Sequence, residues 1–167
     1  MEYISTRNNK KTFTFEDVFL KGLAPDGGLF IPKSVKKLTK EEIKSFRNLS
    51  YQDLAKKIIF PFLGDFISEN ELSDIIKKSY SVFRKDNVVY LPKDFNNALE
   101  INILELFHGP TLAFKDIAMQ LIGNFYEYYI NKKNKKINII VATSGDTGAA
   151  AIDAIRGKKN INIFVLH

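Results

Sequence analysis

Apolar residues recur at helical spacing through the first half of the chain. The clearest stripe follows Ser68 and consists of Leu72, Ile75, Ile76, Tyr80 and Phe83. This period of three to four residues predicts one helix with a buried face. Ser68 and Glu71 form the pattern of a capping box at its start. Thr14, Thr39 and Ser50 precede similar segments and predict three further helix starts.

Shorter signals interrupt this helical half. Residues 2–6 predict a short strand, and the Pro-Asp-Gly-Gly sequence of residues 25–28 predicts a turn. Pro61 should kink or end the helix that begins after Ser50, because proline lacks the amide donor and crowds the preceding turn. The chain is therefore expected to be mostly helical up to about residue 86.

The second half changes to a strand–helix–strand pattern. Residues 137–142 and 161–166 are apolar runs of strand length, and an alanine-rich segment at residues 149–156 lies between them. A unit of this length predicts two parallel strands joined by a crossover helix. Two shorter apolar runs, residues 87–91 and 99–107, also predict strands.

The change of pattern predicts where one module ends and the next begins. We place this boundary near residues 86–98. An amino-terminal module would then occupy residues 1–90, and the beginning of an α/β domain would occupy residues 91–167.

A single lysine stands at the mouth of a predicted helix in this second half. Lys115 follows a Gly-Pro turn, and the helix is predicted from about residue 111 or 114 to residue 130. Its near neighbours are Leu112, Ala113, Phe114, Ile117 and Ala118. An apolar setting favours the neutral amine, which is the nucleophile that forms Schiff bases. The competing interpretation is a lysine whose stem covers the core while its ammonium reaches water.

A polar turn with two glycines links the predicted strand to the crossover helix. It consists of Thr143, Ser144, Gly145, Asp146, Thr147 and Gly148. Gly145 and Gly148 permit backbone conformations that residues with a Cβ resist. Hydroxyl groups and the free amides of a helix start suit a carboxylate or a phosphate. The competing interpretation is that Asp146 or Thr147 simply caps the helix.

The two motifs resemble those of one enzyme family. Residues 108–116, His-Gly-Pro-Thr-Leu-Ala-Phe-Lys-Asp, are similar to the cofactor-lysine motif of the threonine synthases, pyridoxal-phosphate enzymes of fold type II. Residues 143–148, Thr-Ser-Gly-Asp-Thr-Gly, resemble that family's substrate-carboxylate loop in the same order and at similar spacing. Residues 3–7, 14–17 and 22–32 resemble the family's opening, so the resemblance covers the whole chain.

The resemblance implies a fold and a reaction. The fold would be α/β and like that of fold type II pyridoxal-phosphate enzymes, with a helical amino-terminal module followed by an incomplete parallel-sheet α/β domain. The reaction would convert O-phosphohomoserine and water to threonine and phosphate, the last step of threonine biosynthesis. Such an enzyme is a carbon–oxygen lyase acting on a phosphate ester. Lys115 would hold pyridoxal 5'-phosphate and move protons at the substrate carbons.

The resemblance also assigns roles to the neighbouring residues. Phe114 and His108 become candidate cofactor-binding residues, with packing beneath the helix and a structural hydrogen bond as their competing roles. The candidate substrate-binding residues are Thr143, Ser144, Gly145, Asp146 and Thr147. A carboxylate in an anion site repels its ligand, so Asp146 is expected to face away and tie the loop together. Asp116 is expected to act as a helix-start acid.

The length of 167 residues sets a further expectation, because family members are much longer. The family's glycine- and asparagine-rich phosphate loop, and the hydroxyl residue opposite its pyridine nitrogen, have no counterpart after Gly157. We therefore expect a partial chain with poor cofactor affinity and no turnover. The alternatives are a threonine synthase-like phospho-lyase and a non-catalytic module. More remote is another fold type II enzyme, such as a serine/threonine dehydratase or a cysteine synthase.

Composition removes several other classes of function. The net charge of +6 includes basic runs at predicted turns, but no aromatic residues interleave with them, which predicts no nucleic-acid role. The absence of cysteine and the presence of 2 histidines exclude disulfides, cysteine nucleophiles and a histidine-rich metal site. No apolar run approaches the ~20 residues of a membrane span. The start of the chain lacks a signal-peptide pattern, which predicts a cytoplasmic location.

Overall fold

The computed structural model describes residues 1–92 and 101–166. The chain forms two compact units, Met1–Asp74 and Ile75–His167. The predicted division into modules of residues 1–90 and 91–167 stays a prediction. The elements in chain order are β1 (Tyr3–Ser5), α1 (Phe15–Lys21), β2 (Phe30–Pro32), α2 (Lys40–Ser45), α3 (Tyr51–Leu63), a 3-10 turn (Gly64–Phe66), α4 (Glu69–Tyr80), α5 (Asp116–Lys133), β3 (Ile137–Ala142), α6 (Asp146–Ile155) and β4 (Ile161–Leu166).

The helix starts of the first unit lie where the sequence predicts them. Thr14 caps α1 through its side chain, Thr39 caps α2 in a complete capping box, and Ser50 caps α3. Each hydroxyl accepts a hydrogen bond from a backbone amide that has no partner within the helix. Pro61 lies inside α3, and the helix ends two residues later at Leu63, which agrees with the predicted break.

Aromatic residues fill the core of the first unit. β1 pairs with β2 in antiparallel register, and the hydroxyl of Tyr3 donates to the carbonyl of Phe62 at 2.7 Å. The rings of Phe15 and Phe66 meet edge to face with their centroids 5.1 Å apart. Such pairs stabilise a small core beyond the area that they bury.

The predicted stripe of α4 is confirmed. Ser68 and Glu71 form the capping box, in which the amide of Ser68 donates to the Glu71 carboxylate at 2.9 Å and the amide of Glu71 donates to the Ser68 hydroxyl at 3.3 Å. All members of the stripe are buried, and they are Leu72, Ile75, Ile76, Tyr80 and Phe83. The helix ends at Tyr80, so Phe83 joins the buried set from the turn that follows α4.

The predicted strand–helix–strand unit is also confirmed. β3 and β4 are parallel and paired from Ile137 opposite Ile161 to Ala142 opposite Leu166, with α6 as the crossover helix. Burial alternates along both strands, because one side of the sheet is covered and the other is open.

The two shorter predicted strands are wrong in the described part of the chain. Residues 87–91 and 101–107 contribute a single antiparallel bridge between Tyr90 and Glu105, and residues 99 and 100 lie outside the described residues. A strand exists only when a partner satisfies its backbone groups, and apolar composition does not supply that partner.

The closest packing in the second unit joins α5 to α6. A Cβ added to Gly123 would lie 2.6 Å from the carbonyl oxygen of Ala154. The side-chain amide of Gln120 donates to the carboxylate of Asp153 at 2.6 Å across the same interface. Only glycine allows the two backbones this separation, so Gly123 sets the distance between the helices.

A charged cluster stabilises the far end of the same interface. The ammonium of Lys158 donates to the side-chain oxygen of Asn124 at 2.6 Å and to the carboxylate of Glu127 at 2.8 Å. Lys78 donates to the same carboxylate at 2.6 Å. Two cations therefore share one partly buried carboxylate.

Within residues 1–92 and 101–166, none of the helices combines the length and the apolar character that crossing a membrane requires.

The packing at Gly123 predicts the effect of adding one methyl group. Gly123→Ala gains about 1 kcal/mol of helix propensity, but the new Cβ must displace the backbone of Ala154, and overpacking of this kind costs about 1–3 kcal/mol. We expect a net loss of stability, measured as a lower urea midpoint. Asn131→Ala, at an exposed position on the same helix, is the control and should not lower the midpoint. Equal gains for both variants would contradict the close approach.

Glu127 predicts a pH-dependent contribution to stability. Burial alone raises the pKa of Glu127, but hydrogen bonds and charges from Lys158 and Lys78 offset it and hold the pKa below the usual 4.5. A carboxylate with a lowered folded-state pKa stabilises the fold at neutral pH, and this contribution is lost as the pH falls through that pKa.

Glu127→Gln should therefore lower the free energy of unfolding at pH 7, by at most about 1 kcal/mol because the site is partly solvated. In acid, once the carboxylate of the parent protein is protonated, the two proteins should unfold alike in urea. A difference that persists unchanged into acid would show that packing, and not the ion pairs, causes the loss.

Candidate functional site

Lys115 lies immediately before the first residue of α5. Residues 113–115 form a turn that leads into the helix, since the amide of Asp116 donates to the carbonyl of Ala113 at 3.0 Å and the amide of Ile117 donates to that of Phe114 at 3.2 Å. The carbonyl of Lys115 accepts the amide of Met119 at 2.9 Å. The backbone of Lys115 is thus held by the helix, which begins slightly later than predicted.

The surroundings of Lys115 are more exposed than expected. The side chain is partly buried, and its ammonium lies 4.4 Å from the centroid of the Phe114 ring, within the range of a cation–π contact. Phe114 is 58% exposed, so its predicted packing beneath the helix is wrong. An exposed aromatic surface, the Phe114 ring, therefore lies beside the Lys115 amine.

The turn before Lys115 is anchored at His108. This residue is buried, and its Nε2 lies 2.6 Å from the carboxylate of Glu105. Its carbonyl accepts the amide of Arg84 at 2.9 Å. The predicted structural hydrogen bond of His108 is therefore confirmed, and its ring is already committed to a neighbour.

Asp116 plays a part in this turn that the sequence did not reveal. It occupies the first turn of α5, as expected of a helix-start acid, but its side chain is 0% exposed. Its two carboxylate oxygens accept the amide of Thr111 at 2.8 Å and the hydroxyl of Thr111 at 2.7 Å. A Cβ on Gly109 would overlap the side chain of Asp116. The sequence feature that could have indicated this contact is the spacing of five residues between Thr111 and Asp116.

The two glycines of the second turn, residues 143–148, do not use the left-handed conformations that glycine permits. Neither Gly145 nor Gly148 has a positive φ. Gly148 is required for another reason, because a Cβ there would lie 2.6 Å from Cγ2 of Thr143. A Cβ on Gly145 would have nothing within 4 Å, so this position faces open space. The hydroxyl of Thr143 accepts the amide of Gly145 at 3.4 Å.

Several backbone amides of this turn are left without an acceptor. Within the described residues, nothing accepts a hydrogen bond from the amides of Ser144, Asp146 and Thr147. α6 begins here with Gly145 as its N-cap, and no side chain forms a capping hydrogen bond. The competing interpretation, in which Asp146 or Thr147 caps the helix, is therefore wrong. These amides, together with the positive end of the helix dipole, suit an anion.

The Asp146 side chain does not tie the loop together as predicted. It is exposed, and its carboxylate has no hydrogen-bond partner in the described part of the chain.

The fold brings Lys115 and the second turn to the same end of their unit. The contacts of α5 advance along the second element, from Gln120 with Asp153 in α6 to Asn124 with Lys158 in the turn that follows α6. The two helices therefore run in the same direction. At a rise of 1.5 Å per residue, α5 begins about 6 Å before Gln120 and α6 about 10 Å before Asp153. Both starts lie beyond the carboxyl ends of the parallel strands, where open α/β sheets bind their ligands.

No group of three or more metal-ligating side chains occurs among the residues that the structure describes.

Comparisons with known proteins identify the family of this chain. A family model described as the threonine synthase N terminus matches residues 2–80. Threonine synthase from Pseudomonas aeruginosa is 44% identical over 100% of this chain and 35% of its own length. Threonine synthase-like 2 from Mus musculus is 42% identical over 99% of this chain and 34% of its own.

Two solved structures have the same fold. Yeast threonine synthase superimposes with a TM-score of 0.93 at 43% identity, over 98% of this chain and 35% of that one. Threonine synthase from Brucella melitensis, solved with pyridoxal phosphate bound, gives 0.90 at 41% identity over 99% and 35%. These neighbours confirm the predicted fold class, an α/β portion of a pyridoxal-phosphate enzyme.

The chain belongs to the threonine synthase family and corresponds to its amino-terminal part. It spans about a third of the length of the curated relatives that it matches, 35% in the Pseudomonas aeruginosa protein.

The two glycines of the second turn predict different outcomes when a side chain is added. Gly148→Ala brings a Cβ against Cγ2 of Thr143, and the cost of overpacking, about 1–3 kcal/mol, should exceed the gain of about 1 kcal/mol in helix propensity and lower the urea midpoint. Gly145→Ser, whose Cβ meets no neighbouring atom and whose hydroxyl suits an N-cap, should not lower the midpoint. If both variants behave alike, the close contact between Gly148 and Thr143 does not exist in solution.

Proposed function

We propose that the complete protein containing this sequence is a threonine synthase, which converts O-phosphohomoserine and water to threonine and phosphate with pyridoxal 5'-phosphate. The observation that supports this proposal most is that α5 and α6 begin at the same end of the α/β unit, with Lys115 before α5 and the amides of residues 143–148 at the start of α6, in a chain that matches threonine synthases along its whole length. A cytoplasmic location and a small-molecule substrate belong to the same proposal.

The Lys115 amine is suited to hold the cofactor aldehyde. None of the described carboxylates forms an ion pair with Lys115, whereas many other lysines of the chain are paired. The open ring of Phe114 beside it offers an apolar surface to the cofactor, which is the role we propose for Phe114. When bound, pyridoxal phosphate supplies a conjugated ring that withdraws electrons from the substrate carbons.

His108 is a weaker candidate for cofactor binding. Its side chain is bound to Glu105 and buried, so we propose that it contributes by holding the turn, with any contact to the cofactor phosphate made from that fixed position.

The turn of residues 143–148 would bind the substrate carboxylate. The unpaired amides of Ser144, Asp146 and Thr147 lie at the start of α6, and the hydroxyls of Thr143, Ser144 and Thr147 add donors. Gly145 leaves the approach open, since no described atom outside its chain neighbours lies within 4 Å of a Cβ added there. We propose that Asp146 meets the ligand through its backbone only, because its carboxylate would repel another carboxylate.

Lys115 would also move the protons of the reaction. Its Nζ belongs to the residue that precedes α5, at the same end of the unit as the proposed carboxylate site. A neutral amine there would remove protons from the substrate carbons and return them.

A second candidate is a phospho-lyase that releases phosphate without making threonine. The similarity to threonine synthase-like 2 at 42% identity favours keeping this candidate, because that relative matches the same residues as the threonine synthases do.

The test measures both products of the complete gene product supplied with pyridoxal phosphate and O-phosphohomoserine. We expect threonine and phosphate in equal amounts, and Lys115→Ala should abolish both. Lys159→Ala, at an exposed lysine in the turn after α6, is the matched control and should retain activity. Borohydride reduction followed by peptide mass spectrometry should find the cofactor on Lys115.

Each other outcome has a distinct meaning. Phosphate without threonine would support the phospho-lyase. Neither product, with no cofactor on Lys115, would refute the proposal.

A further inference from the structure

We propose that Thr111 and Asp116 are positioning residues, which hold the turn before α5 in a strained conformation and thereby aim the Lys115 amine. The inference rests on the proposed function for the role of Lys115, but the contacts that carry it lie within this chain. We call the pair the Thr111–Asp116 clamp.

The clamp is a buried carboxylate with both oxygens occupied. Asp116 is fully buried, and its oxygens accept the amide and the hydroxyl of the single residue Thr111, at 2.8 Å and 2.7 Å. A buried carboxylate is costly unless it is hydrogen-bonded, so the turn cannot move away from the helix without leaving this charge unpaired.

The residue next to Thr111 in the chain has a strained backbone conformation. Leu112 follows Thr111 and has a φ of 61°, a left-handed conformation that disfavours a residue with a Cβ. Its side chain is 53% exposed, so packing of that side chain does not explain the conformation. Its amide donates to the carbonyl of Gly109 at 3.2 Å, which closes the turn. Strain of this kind persists only where the surrounding contacts hold it.

The turn is also held from its other side. The carbonyl of His108 accepts the amide of Arg84, and Glu105 forms a two-way backbone bridge with Tyr90. Gly109 lies so close to the Asp116 side chain that a Cβ would overlap it. The segment from residue 105 to residue 111 is therefore fixed upstream by backbone bonds and downstream by the clamp.

The consequence falls on Lys115, which lies along the chain between the two clamp residues, immediately before Asp116. Its backbone is bound to Met119 in the first helical turn, and the residue after it is locked to Thr111. The direction in which its Cβ leaves the helix is then set by the clamp, while only the side-chain torsions remain free. Reacting groups need such fixed directions, since a misplacement of about 1 Å can cost about 100-fold in rate.

A simpler role for Asp116 is that of an acid that stabilises the helix start through the dipole. That role needs no Thr111 hydroxyl and would not affect the reactivity of Lys115. The two roles therefore differ at Thr111, where Thr111→Val keeps the shape of the side chain and removes the hydroxyl, and Thr111→Ser keeps the hydroxyl.

The experiment compares these variants in the complete gene product. The first readout, in the cofactor-free protein, is the rate at which a small acylating reagent modifies Lys115, followed by peptide mass spectrometry. The second is the visible circular dichroism of bound pyridoxal phosphate, divided by the amount bound. We expect Thr111→Val to change both and to lower kcat by about tenfold or more, as a sub-ångström to 1 Å misplacement would. Thr111→Ser should restore the parent values.

Leu112→Gly provides an independent check of the strain. Glycine adopts a positive φ without cost, so this substitution should reduce the loss caused by Thr111→Val when the two are combined. Asp116→Asn should be milder than Asp116→Ala, because an amide can still accept from the Thr111 backbone and donate to its hydroxyl.

Equal behaviour of Thr111→Val and Thr111→Ser would overturn the proposal. A lower urea midpoint with unchanged Lys115 modification and unchanged dichroism would also overturn it, since the clamp would then be only structural. If Asp116→Ala fails to fold, the two Thr111 variants still decide. If pyridoxal phosphate does not attach to Lys115 in the parent protein, the proposed function fails, while the modification rates of the cofactor-free protein still test the clamp.

Discussion

The close approach of α5 and α6 at Gly123 and Ala154 is the contact on which the rest of the second unit depends. A backbone carbonyl occupies the space that any larger side chain at position 123 would need. Flanking hydrogen bonds, from Gln120 to Asp153 and from Lys158 to Asn124, keep the helices in register and parallel. Both helices begin at the same end of the unit. The Lys115 amine, before α5, and the unpaired amides within residues 144–147, at the start of α6, therefore belong to that end.

The two turns at that end are built in contrasting ways. The turn before α5 is closed by side chains, since the buried carboxylate of Asp116 takes up both donors of Thr111. The turn before α6 leaves its donors unused and is shaped instead by the absence of a side chain at Gly148. A turn whose donors are all bonded within the chain suits a group that must be held in one direction. A turn with unbonded donors suits the binding of a negatively charged ligand.

Membership of the threonine synthase family gives these turns a chemical meaning that neither has alone. Lysines are common, and helix starts with free amides are common as well. Their combination at one end of the α/β unit, in a chain 44% identical to a threonine synthase along its length, supports the proposal that both serve one reaction. The chain spans about a third of the length of such relatives, 35% in that case.

Local features were predictable from the sequence because they depend on neighbours along the chain. The caps at Thr14 and Ser68, the apolar stripe of α4 and the parallel unit of β3 and β4 all follow from short-range hydrogen bonding or from periodicity. Tertiary structure alone decided that residues 87–91 form no strand, that Phe114 faces outward and that Gly148 is needed for space rather than for a positive φ. It also decided that Asp116 binds Thr111 and not solvent. Each of these depends on which atoms lie nearby in space, and spacing along the chain does not contain that information.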